Sequence, residues 1–106
     1  VADQNPQNLT ILVLDNEHFG ETGRQSGLTG NKVDLCAVAR GFGIERTMTV
    51  TEQGKVGELA EFLFQGHGPA LAVAKIALSE DPWRLPEKDG GIIAHRFRVA
   101  LGVEKA

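Results

Sequence analysis

The sequence predicts an α/β fold, a parallel sheet with flanking helices, and three observations carry that expectation. Strand-like and helix-like segments alternate in the order β-loop-α-β-α-β-loop-α, the pattern of strands joined by helical crossovers. Two of the strand segments, residues 9–14 and 70–76, are short and nearly continuously apolar, as strands buried on both faces of a parallel sheet are. The chain has 106 residues, of which 42 % are apolar, an ordinary composition for one folded domain.

Each element has a local reason. Polar residues 3–8, with Pro6, form a loop feeding the first strand, Leu-Thr-Ile-Leu-Val-Leu over residues 9–14, which stops at Asp15-Asn16. Residues 17–32 show no sustained period and are punctuated by Gly20, Gly23, Gly27 and Gly30. Asp34 is placed to cap a helix on which Leu35, Val38, Ala39 and Phe42 recur at helical spacing. Gly41 and Gly43 supply its stop, because glycine takes the left-handed conformation after a helix without strain. Residues 46–50 alternate Thr47 and Thr49 with Met48 and Val50, the signature of a second strand. Thr51 is expected to cap a second helix, with Glu52 in its first turn and Val56, Leu59, Ala60 and Leu63 as its apolar stripe. Pro69 leads into the third strand, residues 70–76. Residues 79–91, with Pro82 and Pro86, read as loop, and Ile93, Phe97, Ala100 and Leu101 define a last helix with Arg96 and Arg98 on its wetter side.

Composition excludes several functions. Eleven Lys+Arg against 14 Asp+Glu leave a formal net charge of −3, so no broad basic surface exists for nucleic acid. The one cysteine, Cys36, rules out an internal disulfide framework and a multi-cysteine zinc site, and its place beside Leu35 suits a packed small hydrophobe. No apolar run approaches the roughly 20 residues that span a bilayer, and residues 1–5 lack the pattern of a signal peptide. A cytoplasmic protein without membrane or nucleic-acid partners is expected, and Asn8-Leu9-Thr10 is not expected to be glycosylated.

In open α/β sheets ligands bind beyond the carboxyl ends of the strands. The segment after the first strand lies there, and its 16 residues, 17–32, exceed the usual handful for such a connection. Asp15, Asn16, Glu17, His18, Glu21, Thr22, Arg24 and Gln25 concentrate its polarity. A solvated surface loop with glycines present only for turns accounts for the same residues. Sharper motifs fail: the glycines make neither G-x-G-x-x-G nor a P-loop. His18, His67 and His95 lack metal-ligand spacing with one another or with Cys36. His67, between two glycines, reads as a turn residue, and His95 as a surface or boundary residue. No G-x-S-x-G surrounds Ser26 to support a hydrolase triad.

The run Leu12-Val13-Leu14-Asp15-Asn16-Glu17-His18-Phe19-Gly20-Glu21-Thr22-Gly23-Arg24-Gln25, followed by Val33-Asp34-Leu35, resembles thiamine-diphosphate-dependent enzymes. The likeness is to the C-terminal diphosphate-binding domain of the phosphonopyruvate and sulfopyruvate decarboxylases. That family shows a buried strand ending in an Asp- or Asn-Asn pair, an aromatic, a Thr-Gly-x-Gln segment and a Val-Asp-Leu-like helix start. Ile93-Ala94-His95-Arg96-Phe97-Arg98-Val99-Ala100-Leu101-Gly102 also resembles its closing helix.

The resemblance implies thiamine diphosphate and Mg²⁺, or Ca²⁺ in its place, as cofactors. Asn16 would ligate the metal through its side-chain oxygen and His18 through its backbone carbonyl, oxygen donors of the kind Mg²⁺ takes. Phe19 and Gly20 would lie beside the cofactor, and Glu21, Thr22, Arg24 and Gln25 would face a small 2-oxo acid substrate. Arg24 stands where relatives commonly have glycine, and its guanidinium could pair with an anionic substrate group or be solvated.

The family's metal motif opens with Gly-Asp-Gly upstream of the asparagine pair. Only 15 residues precede Asn16, and none makes it. Residues 1–106 are therefore expected to be a single partial domain, the C-terminal portion of a Rossmann-like thiamine-diphosphate-binding domain. The acidic ligand and the pyrimidine-binding domain or subunit would lie outside it, and this segment alone would be inactive. Its first strand should then leave an edge unpaired, so a homo-oligomer, a strand exchange or incomplete order is expected. The competing reading is a non-catalytic α/β interaction module with residues 17–32 as a mere connector.

Overall fold

A computed structural model describes residues 1–79 and 85–105. In chain order its elements are β1 (Thr10–Asp15), β2 (His18–Phe19), β3 (Gln25–Ser26), α1 (Leu35–Gly41), β4 (Arg46–Val50), α2 (Val56–Phe64), β5 (Ala70–Lys75) and α3 (Gly90–Ala100). β1, β5 and β4 form a parallel sheet in that order, with Leu12 beside Ala72 and Ala72 beside Met48. β2 and β3 make a short antiparallel hairpin.

The two helices following β1 and β4 cover opposite faces of the sheet. On α1, buried Cys36 donates from Sγ to the Met48 carbonyl at 3.4 Å and meets Thr49 Oγ1 at 3.2 Å. Leu59 of α2 joins Val50 and Ala72 in a buried cluster, with Met48, Phe62, Leu63 and Ala74 packed around it. Thr49 and Val50 are adjacent on a strand, so their side chains point to opposite faces. The central strand can therefore be almost wholly small and apolar: Ala70, Ala72 and Val73 are all buried.

Local chemistry explains the helix ends. The Asp34 carboxylate accepts from the Ala37 N–H at 3.1 Å, as an N-cap should. Gly43, at φ +89°, provides the left-handed residue after α1. Asp89 caps α3 by accepting from the N–H groups of Gly91 and Ile92.

Several expectations are corrected. Thr51 caps nothing: a 3₁₀ turn at Gln53–Lys55 precedes α2, which begins at Val56 with Lys55 at its cap and no side-chain cap bond. β1 is not buried on both faces. It runs along the sheet edge, and on the α2 side Leu12 is 41 % and Leu14 63 % exposed, because α2 packs over β4 and β5 rather than over β1. The apolar stripe of α3 is likewise open, with Ile93, Phe97 and Leu101 exposed and no residue of the helix buried. The expected loop over residues 79–91 ends at Asp89, and its residues 80–84 lie outside the described residues. Residues 17–32 are not featureless: they hold the β2–β3 hairpin and a 3₁₀ turn at Leu28–Gly30.

Candidate functional site at the carboxyl end of β1

β1 and β5 run in register to their ends, which sets Asp15 directly beside Lys75. Lys75 Nζ donates to Asp15 Oδ2 at 2.8 Å, to Glu17 Oε1 at 2.7 Å and to the Thr29 carbonyl at 3.1 Å. The other Asp15 oxygen accepts from the Glu17 N–H at 2.8 Å and the Thr29 hydroxyl at 2.7 Å. Asp15 is only 8 % exposed, so its charge needs those partners. Burial pushes its carboxyl pKa up, but the bonds from Lys75, Thr29 and the Glu17 N–H, with the Lys75 charge, outweigh burial and hold it below the ordinary value. The bonds to Asp15 and Glu17 raise the Lys75 pKa against a smaller opposing effect of burial.

This network fastens the start of the polar loop to the sheet. Asn16 lies between two of its members. The Asn16 Oδ1 accepts from the His18 N–H at 3.0 Å, closing a side-chain turn, and His18 Nδ1 lies 2.8 Å from the Asn16 carbonyl, to which a protonated Nδ1 donates. Glu17 takes the left-handed conformation, φ +61°. The loop returns close to it: the Gly27 N–H donates to the Glu17 carbonyl at 2.7 Å.

The hairpin of the loop is exposed. Phe19, the last residue of β2, is exposed, as are Glu21, Thr22, Arg24 and Gln25 at or beside the hairpin tip. Thr22 and Gln25 are tied together, the Thr22 hydroxyl donating to Gln25 Oε1 and Gln25 Nε2 to the Thr22 carbonyl. Gly23 and Arg24 both have positive φ, +117° and +59°, so this tip turns through two consecutive left-handed residues. A pocket of about 370 Å³ opens beside the network, with Asp15, Asp34, Thr49 and Lys75 in its wall. A second pocket, about 470 Å³, is lined by Ile11, Val38, Phe42 and Leu71; it is apolar and lies under α1, away from the polar loop.

Residues 1–74 match the family described as thiamine pyrophosphate enzyme, C-terminal TPP binding domain. The chain belongs to that family. Among curated proteins it is 36 % identical over 49 residues to sulfopyruvate decarboxylase subunit beta of Methanocaldococcus jannaschii, a match covering 46 % of this chain and 26 % of that protein. The chain thus spans about a quarter of the relative it matches.

As part of a thiamine pyrophosphate enzyme, the domain carries its polar loop where an α/β sheet offers a ligand site. Asn16 and His18 lie at the base of the loop, Phe19 is paired with Gln25 across the hairpin, and Gly20, Glu21, Thr22 and Arg24 belong to the turn beyond that pair. Sequence reasoning assigned no role to Lys75, Thr29 or Glu17. A signal was present for Lys75: two apolar strands each end in a charge of opposite sign, Asp15 and Lys75. Nothing in the sequence pointed to Thr29. Cys36 is a packed small residue as expected, and His95 is a surface residue, 3.2 Å from Glu104 Oε1. Among the described residues, no cluster of three or more His, Cys, Asp and Glu could hold a metal, and no helix is long and apolar enough to cross a membrane.

Proposed function

We propose that this chain is part of a thiamine-diphosphate-dependent 2-oxo acid decarboxylase and contributes the loop that binds the metal and diphosphate. The observation that carries the reading is the fixed base of that loop, with Asn16 held between Asp15 and Glu17 at the carboxyl end of the sheet. The name of the Methanocaldococcus jannaschii relative supports decarboxylation.

The donor chemistry fits a hard divalent cation, Mg²⁺ or Ca²⁺. Asn16 Oδ1 and the His18 carbonyl would be its protein ligands, both oxygens, with phosphate oxygens sharing the coordination. Gly20 lies beside the Asn16 side chain: a Cβ there would make ordinary contacts, 3.6 Å from Asn16 Nδ2 and 4.0 Å from Leu78 Cδ1. Phe19 would lie against the cofactor with its exposed ring.

When bound, thiamine diphosphate supplies the electron sink for loss of CO₂. The residues of this chain do the holding. Asn16 and His18 would hold the cation that offsets the charge of the diphosphate, and Lys75 keeps the base of the loop in place. Glu21, Thr22, Arg24 and Gln25 would face the substrate, and the Arg24 guanidinium suits a substrate's second anionic group. The acidic metal ligand and the pyrimidine-binding domain would come from other segments or a partner chain, a reading supported by the relative's designation as a beta subunit. A cytoplasmic homo-oligomer, with this segment inactive by itself, completes the proposal.

The test is Asn16→Ala in the intact protein, measured as thiamine diphosphate binding against Mg²⁺ concentration. Metal-dependent binding should fall by about tenfold or more. Binding that keeps its metal dependence unchanged would remove Asn16 from the site.

A further inference from the structure

We infer that Lys75 is a positioning residue for cofactor binding: it sets the place of Asn16 and His18 by clamping the residues on either side of Asn16. The inference rests on the site reading above and goes beyond it, since Lys75 lies 59 positions after Asn16 and on a different strand.

Three features of the geometry lead there. All three ammonium protons have acceptors, on three separate parts of the loop base: Asp15 at the end of β1, Glu17 beyond Asn16, and Thr29 on the returning turn. Asp15 closes the ring by accepting from the Glu17 N–H and the Thr29 hydroxyl. The backbone of Asn16 is therefore held at both flanks, and its left-handed neighbour Glu17 stays at φ +61°, a conformation a glutamate seldom keeps unless its surroundings impose it.

The anchor is also stiff. β5 is the central strand, paired on both sides as far as Ala74, so Lys75 extends directly from the best-supported element near the loop. β1 is an edge strand, and its end alone would hold a 16-residue polar loop loosely. Charge matters as well: without the ammonium, the Asp15 and Glu17 carboxylates would repel each other across Asn16. Lys75 stands apart from the buried core of the fold. The buried cluster of Val50, Leu59 and Ala72 lies on the α2 side of the sheet, whereas Asp15 and Lys75 line the pocket on the α1 side.

Lys75→Met in the intact protein tests this, with three readouts. Amide hydrogen exchange of Glu17 and Gly27, measured without cofactor, should speed up by about tenfold or more relative to amides of β4 and α2. The Mg²⁺ concentration giving half-maximal thiamine diphosphate binding should rise by about 10–100-fold, the usual effect of losing a residue that orients a ligand. The melting temperature should fall, because Asp15 loses its charged partner, with the protein still folded at room temperature. Lys75→Gln, which keeps a donor but loses the charge, should give a smaller change in the same direction.

Unchanged loop exchange overturns the inference, as does global unfolding of both variants, which would make Lys75 a general fold determinant. Asn16→Ala separates the two levels of argument. If Asn16→Ala weakens metal-dependent binding and Lys75→Met does not, the role of Lys75 is overturned and the site stands. If Asn16→Ala changes nothing, the site reading falls and this inference with it.

Discussion

Gly27→Ala tests whether close backbone approach, rather than turn flexibility, explains the glycines of the polar loop. Gly27 is extended, at φ −82° and ψ 166°, so alanine meets no conformational penalty there. The obstacle is contact. A Cβ on Gly27 would lie 3.0 Å from the Glu17 carbonyl oxygen and 3.3 Å from its carbon, so one chain must retreat by several tenths of an ångström. Glu17 cannot retreat freely, because its N–H is bonded to Asp15, its carboxylate to Lys75 and its carbonyl to Gly27 itself at 2.7 Å. Overpacking against a held neighbour costs about 1–3 kcal/mol. If the loop absorbs the lower part of that range, about 1–2 kcal/mol, thiamine diphosphate affinity in Mg²⁺ should fall roughly 5–30-fold. The assay is calorimetric titration of cofactor into the intact protein, with Gly54→Ala as control, since a Cβ on Gly54 meets nothing within 4 Å. Wild-type affinity in Gly27→Ala, or an equal loss in Gly54→Ala, would refute the reasoning.

Three further outcomes follow from the same geometry. Gly68→Ala should destabilise the fold by about 2–3 kcal/mol, since its Cβ would lie 2.7 Å from the Pro6 carbonyl oxygen, 2.8 Å from the Leu9 nitrogen and against the Leu9 carbonyl oxygen; a thermal melt within a degree of wild type would contradict it. The Asp15–Lys75 network should make stability depend on pH in a stated direction. Asp15 is held below the ordinary 3.8, so its contribution is present above that value and lost as pH falls through the lower native pKa; Lys75 is raised above 10.5, so its contribution is lost only as pH climbs past that value. Denaturant midpoints of wild type and Asp15→Asn should therefore differ by a constant amount at neutral pH and converge in acid, and parallel curves down to the lowest pH would exclude the network as the cause. Finally, this chain alone should self-associate through β1, whose edge and Leu12–Leu14 side are open. Sedimentation should show Leu14→Lys shifting it toward monomer, and a monomeric wild type with slow amide exchange along β1 would end that expectation.

The sheet was legible because its signals are local and redundant. Apolar runs mark β1 and β5, threonine alternation marks β4, and Asp34 and Gly43 punctuate α1. Thr51 misled because a 3₁₀ turn intervenes and moves the start of α2 to Val56, a displacement that capping preference does not encode. The burial of β1 was overread for another reason. An apolar run states that a strand tolerates cover on both faces, but cover depends on which helix crosses it, and α2 lies over β4 and β5. The place of the long polar loop after β1 could be read, because sheet topology sets it at the carboxyl end of the strands. Its fastening could not be read. Asp15 is adjacent to Lys75 only through strand order and register, and Thr29 reaches Asp15 only because the loop doubles back.

Glu17 explains why the loop takes one shape despite its glycines. Its N–H, carbonyl and carboxylate are all bonded, to Asp15, Gly27 and Lys75 respectively. Two glycines face it for want of space: a Cβ on Gly27 would press on its carbonyl, and one on Gly30 would come within 3.2 Å of its Cβ. The left-handed backbone at Glu17 costs about 1 kcal/mol or more, and bonds to three separate parts of the chain hold it there. The glycines thus divide into two kinds. Gly23, at φ +117°, serves the turn at the hairpin tip, where the proposed substrate-facing residues lie. Gly27 and Gly30 serve close packing at the base, where Asn16 lies. Variation at the tip can then alter what the loop meets without disturbing how Asn16 is held, because the two ends depend on different contacts.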